Sequence, residues 1–240
     1  MMASAGQVYM SQYGVLPGNS ITLFTNNDHA YTVAVDAISK GAKVVVIDLR
    51  SNVSSEITKL CEKNKIETYN SHAVISTHGS QKVNSITLQE LSEDKQSFVG
   101  EAITINTDLL LMSGGWNPAV QLFSQSRGKL RYDDQISSFV PDVLVDNQYV
   151  IGTNNGDFNL KQNLIDSQNA GISAAKETGN KKDIDEFISE ANEPNEFTTS
   201  DVVPYVLGSK PVTHGSKHFI DFQNDVTASD IFLAQREGYI

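Results

Sequence analysis

The sequence predicts an α/β fold organised around residues 20–50. An apolar, β-rich run comes first at Ile21–Phe24, and a second run follows at Lys43–Asp48. Between the two runs, apolar residues recur at helical spacing: Ala30, Val33, Ala34, Ala37 and Ile38. A strand, a helix and a strand within about thirty residues form a βαβ unit, whose right-handed crossover makes the strands parallel and covers them with the helix.

The turn between the first strand and the helix is the expected ligand-binding part of this unit. Thr25, Asn26, Asn27 and Asp28 stand there, and the last three are residue types typical of turns and helix N-caps. Asp48 ends the second strand. In Rossmann-like units a pyrophosphate binds at the helix N-terminus, and the acid after the second strand binds a ribose hydroxyl. These five residues are therefore candidate dinucleotide contacts.

The glycines of the dinucleotide fingerprint are absent. Where that pattern has Gly-x-Gly-x-x-Gly/Ala, the chain has Thr25, Asn27 and Ala30, so only the last position fits. Asparagine tolerates a left-handed backbone and could preserve the turn, but its side chain fills the space that a pyrophosphate would enter. Two interpretations stay open: a weak nucleotide site, or a βαβ unit kept as a scaffold.

Composition excludes several classes of function. The 240 residues are 39% hydrophobic and carry a net charge of −11, which argues against a nucleic-acid or anionic-membrane partner. No run of eighteen apolar residues and no signal-peptide pattern occurs, so we expect a cytoplasmic protein without a membrane span. The single cysteine, Cys61, has no partner for a disulfide and is expected to be a structural thiol in a reducing compartment.

Short strands follow the βαβ unit. A helix is predicted at residues 54–64, and then come three strand-like runs with turn signals between them: Ala73–Thr77, Val83–Leu88 and Ala102–Asn106. This pattern predicts an antiparallel meander inserted into a parallel α/β domain. The continuously apolar run Asp108–Met112 would return to the buried parallel sheet.

The second half of the chain has weaker patterns. Short strands are expected at Val143–Val145 and Tyr149–Ile151, and a helix at Leu160–Lys176. Residues 180–204 are acidic and polar, which predicts a linker. Thr227 is expected to cap a last helix, with Asp230 completing a box-like arrangement. Both ends of the sequence look cut, so we expect a piece of a longer chain.

Several stretches together resemble one family. They are YGVLPG, FTNNDHAY, LLLMSGGWNPAVQLFSQSRGKLRYD, FVPD and FIDFQNDVTASDIFLAQREGY. They are similar to the middle of the alpha subunits of heterotetrameric sarcosine oxidases, and the resemblance covers almost the whole chain. It implies an oxidoreductase that demethylates sarcosine to glycine. It also implies NAD bound in the intact alpha subunit, tetrahydrofolate and flavins elsewhere in the complex, and the beta and smaller subunits as partners.

The resemblance extends to flavoprotein reductases in which an NAD-type domain interrupts an FAD-type domain. It implies a Rossmann-like three-layer domain with a parallel sheet and an antiparallel three-stranded β meander, plus part of a second FAD/NAD(P)-binding-type domain. The chain would then divide into a lead-in (1–17), the NAD-type domain (18–108), the returning half of the FAD/NAD-type domain (109–179), the linker (180–204) and the start of a small domain (205–240).

Three further candidate contacts follow from the resemblance. Gly114 and Gly115 stand where those reductases have a Gly-rich crossing, and Asp157 belongs to a Gly-Asp pair that in them approaches the flavin. The glycine-rich fingerprint of the family would lie upstream of Met1. The chain would therefore hold at most an incomplete NAD site, and the isolated piece is expected to be inactive.

The C-terminal stretch resembles a small iron–sulfur domain that has lost its ligands. Asp221 and Gln223 stand where related amine dehydrogenases have cysteines, so no iron–sulfur cluster is expected. His214 and His218 are four apart, but Pro211 makes a helix there unfavourable, and no metal site is predicted.

No residue pattern identifies a nucleophile or an acid–base pair. Two hypotheses therefore remain. The chain supplies part of a dinucleotide-binding region and subunit contacts, or it is a degenerate scaffold that docks the beta subunit.

Overall fold

A computed structural model describes residues 1–95, 97–136, 138–179 and 224–239, together with the backbone of 219–221. The first elements are α1 (Ala3–Gln12), β1 (Ser20–Thr25), α2 (His29–Ser39), β2 (Lys43–Asp48), α3 (Ser55–Asn64) and β3 (Glu67–Asn70). They are followed by β4 (His72–Gly79), β5 (Val83–Leu91), β6 (Phe98–Asn106) and β7 (Leu109–Ser113). The remainder comprises α4 (Gln121–Gln125), β8 (Lys129–Asp133), β9 (Ser138–Val143), a 3-10 turn (Gly152–Asn155), α5 (Leu160–Glu177), β10 (Phe219–Asp221), β11 (Val226–Thr227) and α6 (Ala228–Glu237).

Four parallel strands form the central sheet in the order β3-β2-β1-β7. Ile21 of β1 lies beside Val44 of β2 on one side and beside Leu109 of β7 on the other. The chain runs from β1 outward to β2 and β3, and only later returns to the opposite side of β1 as β7. The strand order therefore reverses between β1 and β7, which is where open α/β sheets form a ligand crevice.

The sheet is the middle of three layers, as the sequence predicts. Ile21, Leu23, Val44 and Val46 face the helices, within a cluster that also holds residues of α1, α2 and α3. Phe24 of β1 and Ile47 of β2 lie in a second cluster, with residues of the meander, which is the antiparallel sheet β4-β5-β6. Successive side chains of a strand point to opposite faces, so β1 and β2 each contribute side chains to the hydrophobic clusters on both faces of the sheet.

The helices begin and end for local reasons. The apolar stripe of α2 packs into the helix-side core, where Ala30, Val33, Ala34 and Ala37 are buried and Ile38 is partly buried. Gly41 has a φ of +94° just after this helix, a conformation that glycine adopts without strain. The Ser54 side chain accepts a hydrogen bond from the backbone N–H of Ile57 and so caps α3.

The sequence-based assignment differs from the structure in several places, since α4 and the strands β8 and β9 were not predicted either. Strand β3 was not predicted, although it forms the edge of the parallel sheet beside β2. The short strands expected at residues 143–145 and 149–151 do not form, apart from Val143 at the end of β9. The local hairpin instead pairs β8 with β9. Runs of three apolar residues are too short for periodicity to separate a strand from a loop.

The other predicted helices and strands are confirmed. Helix α5 matches its predicted range within one residue, although none of its side chains is buried. Helix α6 starts at a capping box, in which Thr227 and Asp230 exchange hydrogen bonds. The linker at 180–204, the two histidines at 214 and 218, and Gln223 lie outside the described residues.

The predicted division at residue 108 falls immediately before β7. That strand pairs with β1 in the central sheet, and α1 packs against α2 and β7. All of the predicted domain boundaries, this one included, stay predictions. Among the helices in the described ranges, none combines the length and the apolar character needed to cross a bilayer.

Candidate functional site

The predicted turn residues come together at the carboxyl end of the sheet. Thr25 is the last residue of β1, and Asn26, Asn27 and Asp28 connect it to the first turn of α2. All four are buried, which is unusual for polar residues in a connecting loop. Asp48 ends the neighbouring strand β2 and lies directly beside Thr25 in the register.

The Asn27 side chain closes the crevice between β1 and β7. Its amide nitrogen donates to the backbone oxygen of Ser113 at 3.0 Å and is 3.1 Å from the Ser113 hydroxyl oxygen. The same hydroxyl donates back to the Asn27 amide oxygen at 3.2 Å. Asn27 is only 1% exposed. The end of β1 is thus tied to the end of β7 at the position where the strand order reverses.

The turn needs no left-handed backbone. The left-handed residues of the described chain do not include Thr25, Asn26, Asn27 or Asp28. Asparagine is therefore not needed at position 27 for its tolerance of a positive φ, and its hydrogen bonds to Ser113 are its visible role. The backbone N–H of Asn27 is itself occupied, because it donates to the Thr25 hydroxyl at 3.1 Å.

Asp48 is fully buried and fully engaged by neighbouring donors. Its Oδ1 accepts from the backbone N–H of Arg50 at 2.9 Å and from Arg50 Nε at 3.1 Å. Its Oδ2 accepts from Arg50 Nη2 and from the Tyr31 hydroxyl, both at 2.8 Å. Two of these donors form the bidentate arginine–carboxylate arrangement. The carboxylate predicted to bind a ribose hydroxyl thus already accepts four hydrogen bonds from the chain.

Arg50 links the two acids of the site. Its Nη1 is 2.8 Å from Asp28 Oδ1, and its Nη2 contacts Asp48. Burial disfavours the charged guanidinium, yet the hydrogen bonds and charges of Asp48 and Asp28 outweigh burial and raise the pKa of Arg50. Asp28 is the N-cap residue of α2, but its side chain bonds Arg50 and makes no capping hydrogen bond.

Two neighbouring groups, Tyr31 and Lys95, interact electrostatically with Asp48. Burial raises the pKa of the Tyr31 phenol, and the adjacent charge of Asp48 raises it further, so the hydroxyl stays protonated and donates. Lys95, from the β5–β6 connection, donates to the backbone oxygen of Leu49. Desolvation lowers the pKa of Lys95, and the negative charge of Asp48 opposes that effect.

The crossing after β7 forms the exposed rim of this edge. Gly114 has open space where a Cβ would stand, and Gly115 has a φ of +96°. Trp116 is about half exposed, and its ring meets that of His29 edge to face, with centroids 5.6 Å apart. Desolvation lowers the pKa of His29, against the opposing charge of Asp36. This rim is the accessible part of the candidate site.

Asp157 belongs to a different part of the fold. It lies between the 3-10 turn and α5, where its carboxylate accepts a hydrogen bond from the backbone N–H of Asn159 at 2.8 Å. Gly156 precedes it with a φ of +84°, and a Cβ there would stand 2.9 Å from the Val140 side chain of β9. The structure therefore brings together seven of the eight predicted site residues and places Asp157 on the β8–β9 side.

Four residues that contribute to the chemistry of this edge were not predicted from the sequence: Tyr31, Arg50, Lys95 and Ser113. One feature of the sequence could have indicated the network around Asp48. Arg50 stands two positions after Asp48, the acid that ends β2, and an arginine at that spacing can fold back onto the carboxylate. With Asp48 saturated and Asn27 across the crevice, the residues present do not fit an NAD at the βαβ unit. Within the described ranges, no group of three or more potential metal ligands occurs.

Comparisons with known proteins give relatives by sequence. No family model matches the chain. Sarcosine oxidase subunit alpha of Corynebacterium sp. (strain P-1) is 32% identical over 240 residues, covering 99% of this chain and 24% of the relative. The subunit of the same name from Rhizobium meliloti (strain 1021) is 28% identical and covers 100% of this chain and 22% of the relative.

The fold is shared with a solved reductase. Thioredoxin reductase of T. acidophilum superposes with a TM-score of 0.54 at 19% identity, covering 66% of this chain and 52% of that one. The chain spans about a quarter of the length of the curated relatives it matches. Over nearly all of its residues, the chain is therefore similar in sequence to about a quarter of the sarcosine oxidase alpha subunits.

Proposed function

We propose that this chain is a framework segment of a sarcosine oxidase-type oxidoreductase subunit and supplies no reacting group. The names of its relatives support this class of activity. On this proposal, oxidative demethylation of sarcosine to glycine takes place at flavins outside the segment. NAD and tetrahydrofolate bind other parts of the complex, and the segment contacts the beta and smaller subunits.

The state of Asp48 supports the scaffold hypothesis for the βαβ unit. A carboxylate that binds a ribose needs a free lone pair facing the crevice. Asp48 has no exposed surface and accepts four hydrogen bonds from Arg50 and Tyr31. Displacing the guanidinium would leave a buried charge without its partner, which costs about 3–5 kcal/mol. A ribose hydroxyl does not recover that much.

A calorimetric titration of the chain with NAD tests this proposal, with FAD and ADP as comparators. We expect no heat of binding from a protein whose circular dichroism and cooperative unfolding show that it is folded. Micromolar binding of NAD that is weakened by Asp48→Ala would instead establish a working nucleotide site. The scaffold hypothesis would then be abandoned for residues 18–108.

The glycine crossing supports a second, narrower role. Gly114 and Gly115 leave their backbone open beside Trp116 at the exposed rim, so a cofactor bound by the rest of the subunit could approach them closely. Asp157 is the corresponding candidate on the β8–β9 side. In the complete subunit, Gly114→Ala should lower the amount of cofactor that copurifies. Gly171→Ala is the matched control, because Gly171 also has open space at its Cβ but lies in α5.

A further inference from the structure

We propose that two side chains, Asn27 and Arg50, exclude dinucleotides from the βαβ unit by occupying its pyrophosphate and ribose positions. This inference rests on the proposed function, in which the unit is empty. It goes further by assigning the exclusion to two named side chains and not to the backbone. The unit would accept a nucleotide once those side chains are removed.

Asn27 occupies the pyrophosphate position. A dinucleotide lies across the crevice at the reversal of strand order, with its pyrophosphate against the N-terminus of the first helix. In this chain that crevice lies between Thr25 of β1 and Ser113 of β7, which are register partners. The Asn27 amide spans it: the amide nitrogen donates to the Ser113 backbone oxygen, and the amide oxygen accepts from the Ser113 hydroxyl. A phosphate cannot enter without breaking these bonds.

Arg50 occupies the ribose position. Its side chain turns back along its own strand end, so that Nε and Nη2 engage both oxygens of Asp48. Its remaining terminal nitrogen reaches Asp28 across the start of α2. The planar guanidinium therefore presents its fixed donors to the carboxylate in the way that a pair of ribose hydroxyls would. Arg50 acts as an internal substitute for the ligand.

The backbone behind these side chains retains the features of a binding unit. Strands β1, β2 and β7 are parallel and in register, and α2 begins at the end of β1. Ala30 stands at the third fingerprint position and is fully buried. The turn contains no left-handed residue that a substitution would strain. Glycine at position 27 is therefore compatible with the observed backbone.

An opened variant tests the inference: Asn27→Gly with Asp28→Asn and Arg50→Ala. Without Arg50, the carboxylates of Asp28 and Asp48 would be two buried negative charges close together. Asp28→Asn removes one of these charges and leaves the Asp48 carboxylate in place. NAD and ADP-ribose are titrated calorimetrically into wild type and variant. We expect no binding by wild type and a gain of at least about tenfold in affinity in the opened variant, which corresponds to about 1.4 kcal/mol.

The matched control is the opened variant with Asp48→Asn added. If the regained affinity depends on a ribose contact, Asp48→Asn should abolish the regained affinity. The loss should be the same for ADP-ribose and for NAD. A folded opened variant that binds neither ligand overturns the inference, because the backbone would then be the obstacle. A gain that survives Asp48→Asn also overturns the assignment of the ribose position to Arg50.

A milder pair of changes decides the question if the opened variant does not fold. Asn27→Gly with Arg50→Lys keeps a positive charge beside Asp28 and Asp48, but lysine cannot hold both acids in one planar fork. This variant should bind ADP-ribose more tightly than wild type. If the variant is folded and its affinity for ADP-ribose does not rise, the inference is wrong. Binding by wild type itself is a separate outcome, which would overturn the proposed function first.

Discussion

The guanidinium of Arg50 holds both carboxylate oxygens of Asp48, with Nε 3.1 Å from Oδ1 and Nη2 2.8 Å from Oδ2. Asp48 stands at the strand-end position where a Rossmann-like unit places the acid for a ribose hydroxyl. In this chain the same acid is the centre of a buried ionic network that also includes Asp28 and Tyr31. The polar residues at the carboxyl end of the sheet therefore stabilise the fold.

Asp48→Asn should strongly destabilise the protein. The substitution leaves Arg50 buried without its bidentate partner, and breaking a buried ion pair in this way costs about 3–5 kcal/mol. Chemical denaturation followed by circular dichroism measures the change. Arg131→Gln is the control, because the Arg131–Asp133 pair lies on the surface and its loss should hardly move the midpoint. Equal effects of the two substitutions would contradict a structural role for the network.

Asn27 and Ser113 should be energetically coupled. Asn27→Ala and Ser113→Ala each leave a buried polar group without its partner, which costs about 1–3 kcal/mol. Because both changes remove the same interaction, the double variant should lose less than the sum of the two single losses. Residues in contact show interaction energies of about 0.5–3 kcal/mol in such cycles. Strict additivity would mean that the bridge between β1 and β7 does not stabilise the fold.

The thiol of Cys61 should react slowly at pH 8 and contribute to alkaline unfolding. Burial raises the pKa of the Cys61 thiol to about 11, from an ordinary value of 9.0, and the charge of Asp48 adds to the effect. The folded state thus holds its proton more tightly than the unfolded state, so this contribution to stability is present below pH 9 and is lost as the pH rises towards 11.

Two measurements check the prediction for Cys61. A chromogenic disulfide reagent should modify the native thiol far more slowly than the thiol of denatured protein, because the thiolate is the reactive form. Stability measured between pH 8 and pH 11 should fall less in Cys61→Ala than in wild type. A rapid native reaction at pH 8 would show that the thiol is accessible and ionisable.

The fluorescence of Trp116 should report the protonation of His29. The two rings are in edge-to-face contact, Trp116 is the one tryptophan of the chain, and a protonated imidazole quenches indole fluorescence more strongly than a neutral one. Desolvation lowers the pKa of His29 below its ordinary value of 6.5. We therefore expect quenching to start below pH 6.5, and His29→Asn to abolish it.

The same histidine makes a definite contribution to the dependence of stability on pH. The unfolded state takes up the proton of His29 at higher pH than the folded state. The stabilising contribution of the neutral imidazole to the free energy of unfolding is therefore present above pH 6.5 and is lost as the pH falls. His78→Asn is a suitable control and should leave the dependence of stability on pH unchanged, because His78 lies on β4 in the meander and is exposed.

The fluorescence test has its own contrary outcome. If the change in Trp116 fluorescence persists in His29→Asn, the contact between the two rings is contradicted.

Local patterns were sufficient to predict the framework. The βαβ unit follows from two β-rich runs around a stretch with helical periodicity, and the observed bounds of β2 equal the predicted ones. The meander follows from short runs separated by turn residues. Strand β3 was missed because Glu67–Asn70 is polar and partly exposed at the sheet edge, so that its pairing with β2 leaves no alternating apolar pattern.

The residues thus determined by themselves that an acid would end β2 and that a glycine-poor turn would precede α2. Tertiary structure decided what those positions do. Asp48 accepts three hydrogen bonds from Arg50, two residues away, and a fourth from Tyr31 on the covering helix. Asn27 contacts Ser113, which is 86 positions later in the chain. Hydrogen bonds of this kind depend on the relative placement of strands and helix to within a few tenths of an ångström, and sequence periodicity contains no information at that precision.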